Sequence, residues 1–203
     1  MATQSAIALR YQRAELDQKA DLSPSGKACL AMARGPQDLL GALSGLPSAE
    51  DSVRALALML PHRQVVWWAC LCVRLLPDLA QRPADLAAVE QAEAWVQSAA
   101  AADAELAGEL AGNCDLGKAP GWAAMAATWS GPSLAPRGLQ AVPPAPHLPG
   151  VAARTALILL IHDPALGGKV GMADLLEIGL ALMQGDIGRK AQTAVMDRLR
   201  GAA

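Results

Sequence analysis

Residues 61–77, PHRQVVWWACLCVRLLP, limit the possible architectures more than any other stretch of the chain. Pro61 fits the first turn of a helix and Pro77 ends it. Between them, Val65, Trp68, Ala69, Cys72 and Leu76 fall on one face of the helix, Trp67, Leu71 and Arg74 on another, and Val66, Cys70 and Val73 in between. A helix that is apolar nearly all the way round needs neighbours on most sides. The chain must therefore supply several other elements to enclose this one. The two adjacent indoles point about 100° apart and serve different packing layers. Each can bury roughly 200 Å², about 5 kcal/mol of gross stabilisation. The chain has no phenylalanine. Trp67, Trp68, Trp95, Trp122 and Trp129 are therefore the expected large core residues, with Cys72 among them as a small buried hydrophobe.

The cysteines support that reading. Cys70 and Cys72 point to different sides of a helix and cannot grip one ion together, Cys29 and Cys114 are remote, and no C-x-x-C occurs. Reduced thiols and no metal or other cofactor are expected. Arg74 is the discordant member of the segment. A buried, unpaired guanidinium is very costly, so it must reach water or a carboxylate, and Asp78 is the nearest in sequence.

The rest of the chain repeats the helical pattern. Trp122, Met125, Ala126 and Trp129 recur at i, i+3, i+4 and i+7, and Leu86, Val89 and Val96 share a face interrupted by Glu93. Met172, Leu175, Leu176, Gly179, Leu180 and Met183 form a broader stripe. Starts are marked by Pro36, Pro83 and Pro120, by Asp103, and by Ser48 with Asp51 in S-x-x-D spacing. Stops are marked by Gly112-Asn113 and Gly185, the latter followed by Asp186 as an N-cap. No strand pattern or internal repeat is evident, and residues 5–11, SAIALRY, fit either a paired or a loose segment. The predicted fold is all-α, a single irregular or orthogonal bundle of about seven to nine helices. It spans residues 24–203, after a poorly ordered or extended N-terminal extension over 1–23. A chain of 203 residues buries about 70% of its unfolded surface, enough for a core without disulfides.

Residues 130–149, SGPSLAPRGLQAVPPAPHLP, interrupt the helices. Their prolines favour extended or polyproline backbone. Pro143 and Pro146 have P-x-x-P spacing and could address an aromatic groove on a partner. The preferred reading is a strap across the helices, anchored by Leu134, Leu139, Val142 and Leu148.

Charge and motifs narrow the function by exclusion. The net charge is −2, and the basic pairs Arg10/Arg13, Arg189/Lys190 and Arg198/Arg200 have acidic neighbours, so no nucleic-acid stripe exists. The N-terminus lacks a basic start followed by an apolar run. The apolar runs VVWWACLCV and ALILLI fall short of the roughly 20 residues of a spanning helix. A soluble, cytoplasmic protein without membrane insertion is expected. His62, His147 and His162 belong to no zinc or nucleophile motif. Gly167-Gly168 and Gly171 near Lys169 lack the phosphate-loop pattern, and Glu105 with Glu109 reads as a solvated face.

LPHRQVVWWACLCVRLL, AEAWV, PGWAAMAATWSGPSLAP and VPPAPHLPG, in that order, resemble an uncharacterised family of small bacterial proteins, a domain of unknown function, over roughly Pro36 to Gly185. The alanine-rich Ser98–Ala102 departs from the more charged segment expected there. The resemblance implies an association with type VI secretion gene clusters, and a role as accessory, adaptor or chaperone-like protein beside an effector or tail component. It implies no catalytic or binding residues. The expected function is thus non-enzymatic protein interaction. An immunity or antitoxin-like protein that blocks an effector is the alternative, and a small helical enzyme the third class. Pro143, Pro146, His147, Arg74 and Arg189 are the candidate interaction residues.

Overall fold

The computed structural model describes residues 6–135 and 138–201. Its helices are α1 (Arg13–Lys19), α2 (Pro24–Met32), α3 (Pro36–Ser44), α4 (Glu50–Met59), α5 (His62–Val73), α6 (Pro83–Ser98), α7 (Ala101–Ala111), α8 (Ala119–Thr128), α9 (Leu148–Ile161), α10 (Met172–Met183) and α11 (Arg189–Gly201). Short 3-10 turns cover Leu79–Gln81 and Pro164–Leu166. Among the described residues there are eleven α-helices, more than the seven to nine expected, and no strand. None of these helices is long and apolar enough to cross a membrane.

The two additional helices lie at the N-terminal end. α2 starts on Ser23, whose hydroxyl accepts from the Gly26 N–H at 3.1 Å, with Pro24 in its first turn. α1 contributes one fully buried residue, Leu16. The preceding residues 6–12 are non-helical and tied down by their backbone: the Ile7 N–H donates to the Met183 carbonyl at 3.0 Å, and the Arg10 N–H to that of Met59 at 2.7 Å. The segment 1–23, expected as a poorly ordered or extended N-terminal extension, adds Leu16, Ala20 and Leu22 to the common core.

α5 is the hub. It packs against α6, α8, α9, α10 and α11. Val65, Val66 and every residue from Trp68 to Val73 are excluded from solvent, as an all-round apolar helix requires. The Trp68 indole N–H donates to the Leu175 carbonyl of α10 at 2.8 Å. That approach depends on Gly179, because a Cβ there would lie 2.6 Å from the Trp68 ring. Gly150 does the same for backbones: a Cβ would lie 2.4 Å from the Ala57 carbonyl oxygen, so α9 crosses α4 almost in contact.

Alanine sets the spacing elsewhere. α7, α8 and α9 pack in sequence through Ala104, Ala107, Ala123, Ala127, Ala152 and Ala156, all buried. Methyl-sized side chains let helix axes approach towards the short end of the usual 8–10 Å.

Buried polar groups tie the helices together, and not as chain proximity suggested. Asp51 does not complete a capping box with Ser48. It crosses to α2, where its carboxylate accepts from the Ser23 N–H at 2.9 Å and hydroxyl at 2.5 Å. Arg74 does not use Asp78: its guanidinium meets Glu93 of α6 through two bonds of 2.5 and 2.7 Å. Glu93, the polar break in an apolar face, is there to receive it. Asp78 pairs instead with Arg82, which also donates twice to Asp163, at 2.9 and 3.1 Å. Asp163 is nearly inaccessible and accepts the Ala165 N–H as well. The Arg82 bonds, with that N–H, hold its carboxyl below the usual range, and the same bonds raise the Arg82 pKa.

Candidate interaction surfaces

The described residues of the segment, 130–135 and 138–149, are held by backbone and polar atoms, which leaves Leu134, Leu139 and Val142 exposed. The Leu134 N–H donates to the Val142 carbonyl at 2.7 Å, closing a neck. The Ser133 hydroxyl sits in that neck and accepts from the N–H groups of Ala135 at 3.0 Å and Val142 at 3.1 Å. Further on, the Pro146 carbonyl accepts from Arg10 Nη1 at 2.8 Å and faces His62 Nε2 at 3.0 Å. Pro149 and Gly150 are then buried as α9 begins.

The expected anchors therefore do not anchor. Leu134, Leu139 and Val142 are 41%, 68% and 51% exposed, and only Leu148, at the start of α9, is partly covered. The physical reason is that prolines remove backbone donors and keep the chain extended, so fixing a few carbonyls and N–H groups suffices to hold the path. Pro143 and Pro146 are exposed, and His147 is half-buried at the foot of α9. Burial lowers the pKa of His62; the bond to Pro146 opposes that shift, and Arg10 adds to it.

Beside the neck lies a groove of about 470 Å³ lined by Met125, Trp129, Leu134, Glu105 and Glu109. Trp129 meets Trp122 edge to face, with centroids 6.0 Å apart. The Trp122 N–H donates to the Leu116 carbonyl at 2.7 Å. These two indoles are half-buried packing residues, whereas Trp68 and Trp95 lie in the core.

Trp67 is also half-buried. Its N–H donates to the Ile187 carbonyl at 2.8 Å, and the Arg189 guanidinium lies 5.0 Å above its ring, a cation–π arrangement. Trp67 thus leaves the core to form the wall of a cleft of about 610 Å³, with Arg63, Val96 and Ile187 around it. Arg63 closes the end of α6 by donating to the carbonyls of Val96 and Gln97. Asp186 does not cap α11, which begins at Arg189.

The structure does not bring the candidate residues together. Arg189 belongs to the Trp67 cleft, Arg74 to the pair with Glu93, and the prolines with His147 to the strap. Sequence reasoning missed the contribution of Met125, Trp129 and Leu134 to one groove; the nearest signal was the i, i+4 spacing of Met125 and Trp129. Cys70 and Cys72 are fully buried, and desolvation pushes both thiols above their usual range. Among the described residues, no group of three or more His, Cys, Asp or Glu side chains is placed to hold a metal ion.

The profile of a family of unknown function, DUF6931, matches residues 39–183, from α3 to the end of α10. No curated protein and no solved structure matches the chain.

Proposed function

The chain belongs to the DUF6931 family, and from that starting point we propose that it is a non-enzymatic interaction protein, an accessory, adaptor or chaperone-like component. The observation that carries this reading is the outward display of Leu134, Leu139 and Val142 on a strap whose neck and foot are fixed. Clustered exposed apolar side chains mark contact sites. A loop held in place loses little entropy on binding.

The setting we propose is bacterial type VI secretion, with an effector or tail component as partner in the cytoplasm; the ordered tryptophan, WSG and VPP motifs support it. The second reading, an immunity protein, draws on the groove lined in part by Glu109, which suits a basic face of a toxin. Protection of cells from a co-expressed toxin distinguishes it from the adaptor.

The test compares the tagged chain with the double variant Leu139→Asp/Val142→Asp, both purified from native cells and quantified by mass spectrometry. Burying those two side chains contributes about 2–4 kcal/mol. A stoichiometric partner should therefore fall at least about tenfold in the variant while the circular dichroism spectrum stays the same. Equal recovery from both proteins, or recovery of the chain alone, overturns the reading.

A further inference from the structure

A second groove lies on another part of the surface, where the end of α5, the turn over 164–169 and the last turns of α11 meet. Its floor is apolar: Leu76 and Leu166 are buried, and Met196 and Leu199 are half-buried. Its rim is cationic: Arg74, Lys169 and Arg200 line it, and no carboxylate does. Arg74 is already bound by Glu93. Lys169 has no ion-pair partner among the described residues, and Arg200 meets Asp197 at 3.5 Å with both side chains largely exposed, a weak pair in water. Lys169 and Arg200 therefore present charge that an incoming ligand can use.

We infer that this groove docks an acidic amphipathic helix of a partner protein, an inference that rests on the interaction-protein reading above and names the chemistry of one contact. Two features favour a helix over a small carboxylate in this groove of about 580 Å³. Met196 and Leu199 are three residues apart on α11, so they form one ridge into which the side chains of a second helix can fit. Methionine adapts to irregular apolar partners. Acidic residues on the partner follow from the rim, since like charges there would repel and carboxylates would pair.

Fluorescence anisotropy on the full chain tests this, with a labelled helix-forming peptide of about 15 residues carrying leucine at i, i+3, i+4 and i+7 and glutamate elsewhere. The expected result is saturable binding that weakens with salt and falls at least about tenfold in Lys169→Glu/Arg200→Glu. Both side chains are exposed, so the variant should keep its fold. A lysine counterpart of the peptide should not bind. Equal binding of the two peptides, or unchanged binding to the double variant, overturns the inference. So does binding of oleate without binding of the acidic peptide. The strap variant Leu139→Asp/Val142→Asp should bind the peptide normally. If the peptide fails while a strap-dependent partner is still recovered, the inference falls and the interaction reading stands.

Discussion

Changing Trp68 to alanine would remove an indole with no solvent exposure and a hydrogen bond to Leu175. The expected loss is about 3–5 kcal/mol, read as a shift of the denaturant midpoint. Trp67→Ala should cost less, because the residue is only partly buried against the core and also bonds to Ile187 and faces Arg189. Equal losses at the two sites would contradict the division between core and cleft. Arg82→Met removes the partner of a nearly inaccessible Asp163 and should cost about 3 kcal/mol. The Asp163 pKa is depressed below its usual 3.8, so the stabilisation is present at neutral pH and lost as pH falls below about that value. The penalty for Arg82→Met should shrink on acidification, as a denaturation series across pH would record. At this scale the sequence was legible for the burial of Trp68, Trp95 and Cys72, less so for Trp67, Trp122 and Trp129, and misleading for partners. Trp68 and Cys72 declared themselves by their neighbours. Arg74 seemed to point to Asp78 and Asp51 to Ser48, because chain distance is visible in a sequence and the crossing of another helix is not.

Among the elements, α5 was the easiest to read, since from Val65 to Val73 it carries no charged or polar side chain and is bounded by Pro61 and Pro77. α2 was missed because its short PSGKACLAM has little apolar periodicity. α1 buries only Leu16 and carries almost no pattern. The strap was legible as extended from its prolines, whereas the direction of its side chains was not, because backbone bonds fix its course. His62 supports its foot. Burial lowers the His62 pKa from the usual 6.5, so the unfolded chain binds more protons near that pH. This contribution to stability is complete above pH 6.5 and declines as pH falls below it. Arg10 and Glu15 act on the same group. The native chain should lose stability as pH falls below 6.5, and His62→Gln should flatten that slope in a denaturant series. The junction of α6 and α7 offers a converse test. Ala99 ends α6 with φ 53°, a conformation costly for a residue with a Cβ. Ala99→Gly should stabilise the fold by about 0.5–1 kcal/mol and so raise the midpoint, the strain relieved less the entropy gained by the unfolded chain. A lower midpoint would show that the surroundings favour the methyl group.

For the whole molecule, the family match stops at residue 183, so α1, α2 and α11 lie outside it. They are nevertheless joined to the matched part: Asp51 holds the start of α2, and the Gln192 side chain donates to the Leu71 carbonyl at 2.7 Å. Deletion of α11 should expose the Leu71 side of α5 and lower the melting temperature by several degrees, as differential scanning calorimetry would measure. An unchanged transition would mark α11 as an independent appendage. The Leu134–Val142 neck has the opposite character. Because the bonds that shut it lie at its base, the residues beyond can be lengthened, shortened or exchanged while the eleven helices keep their arrangement. Evolution, or an engineer grafting a foreign epitope, could therefore rewrite what this protein greets without rebuilding the house behind the door.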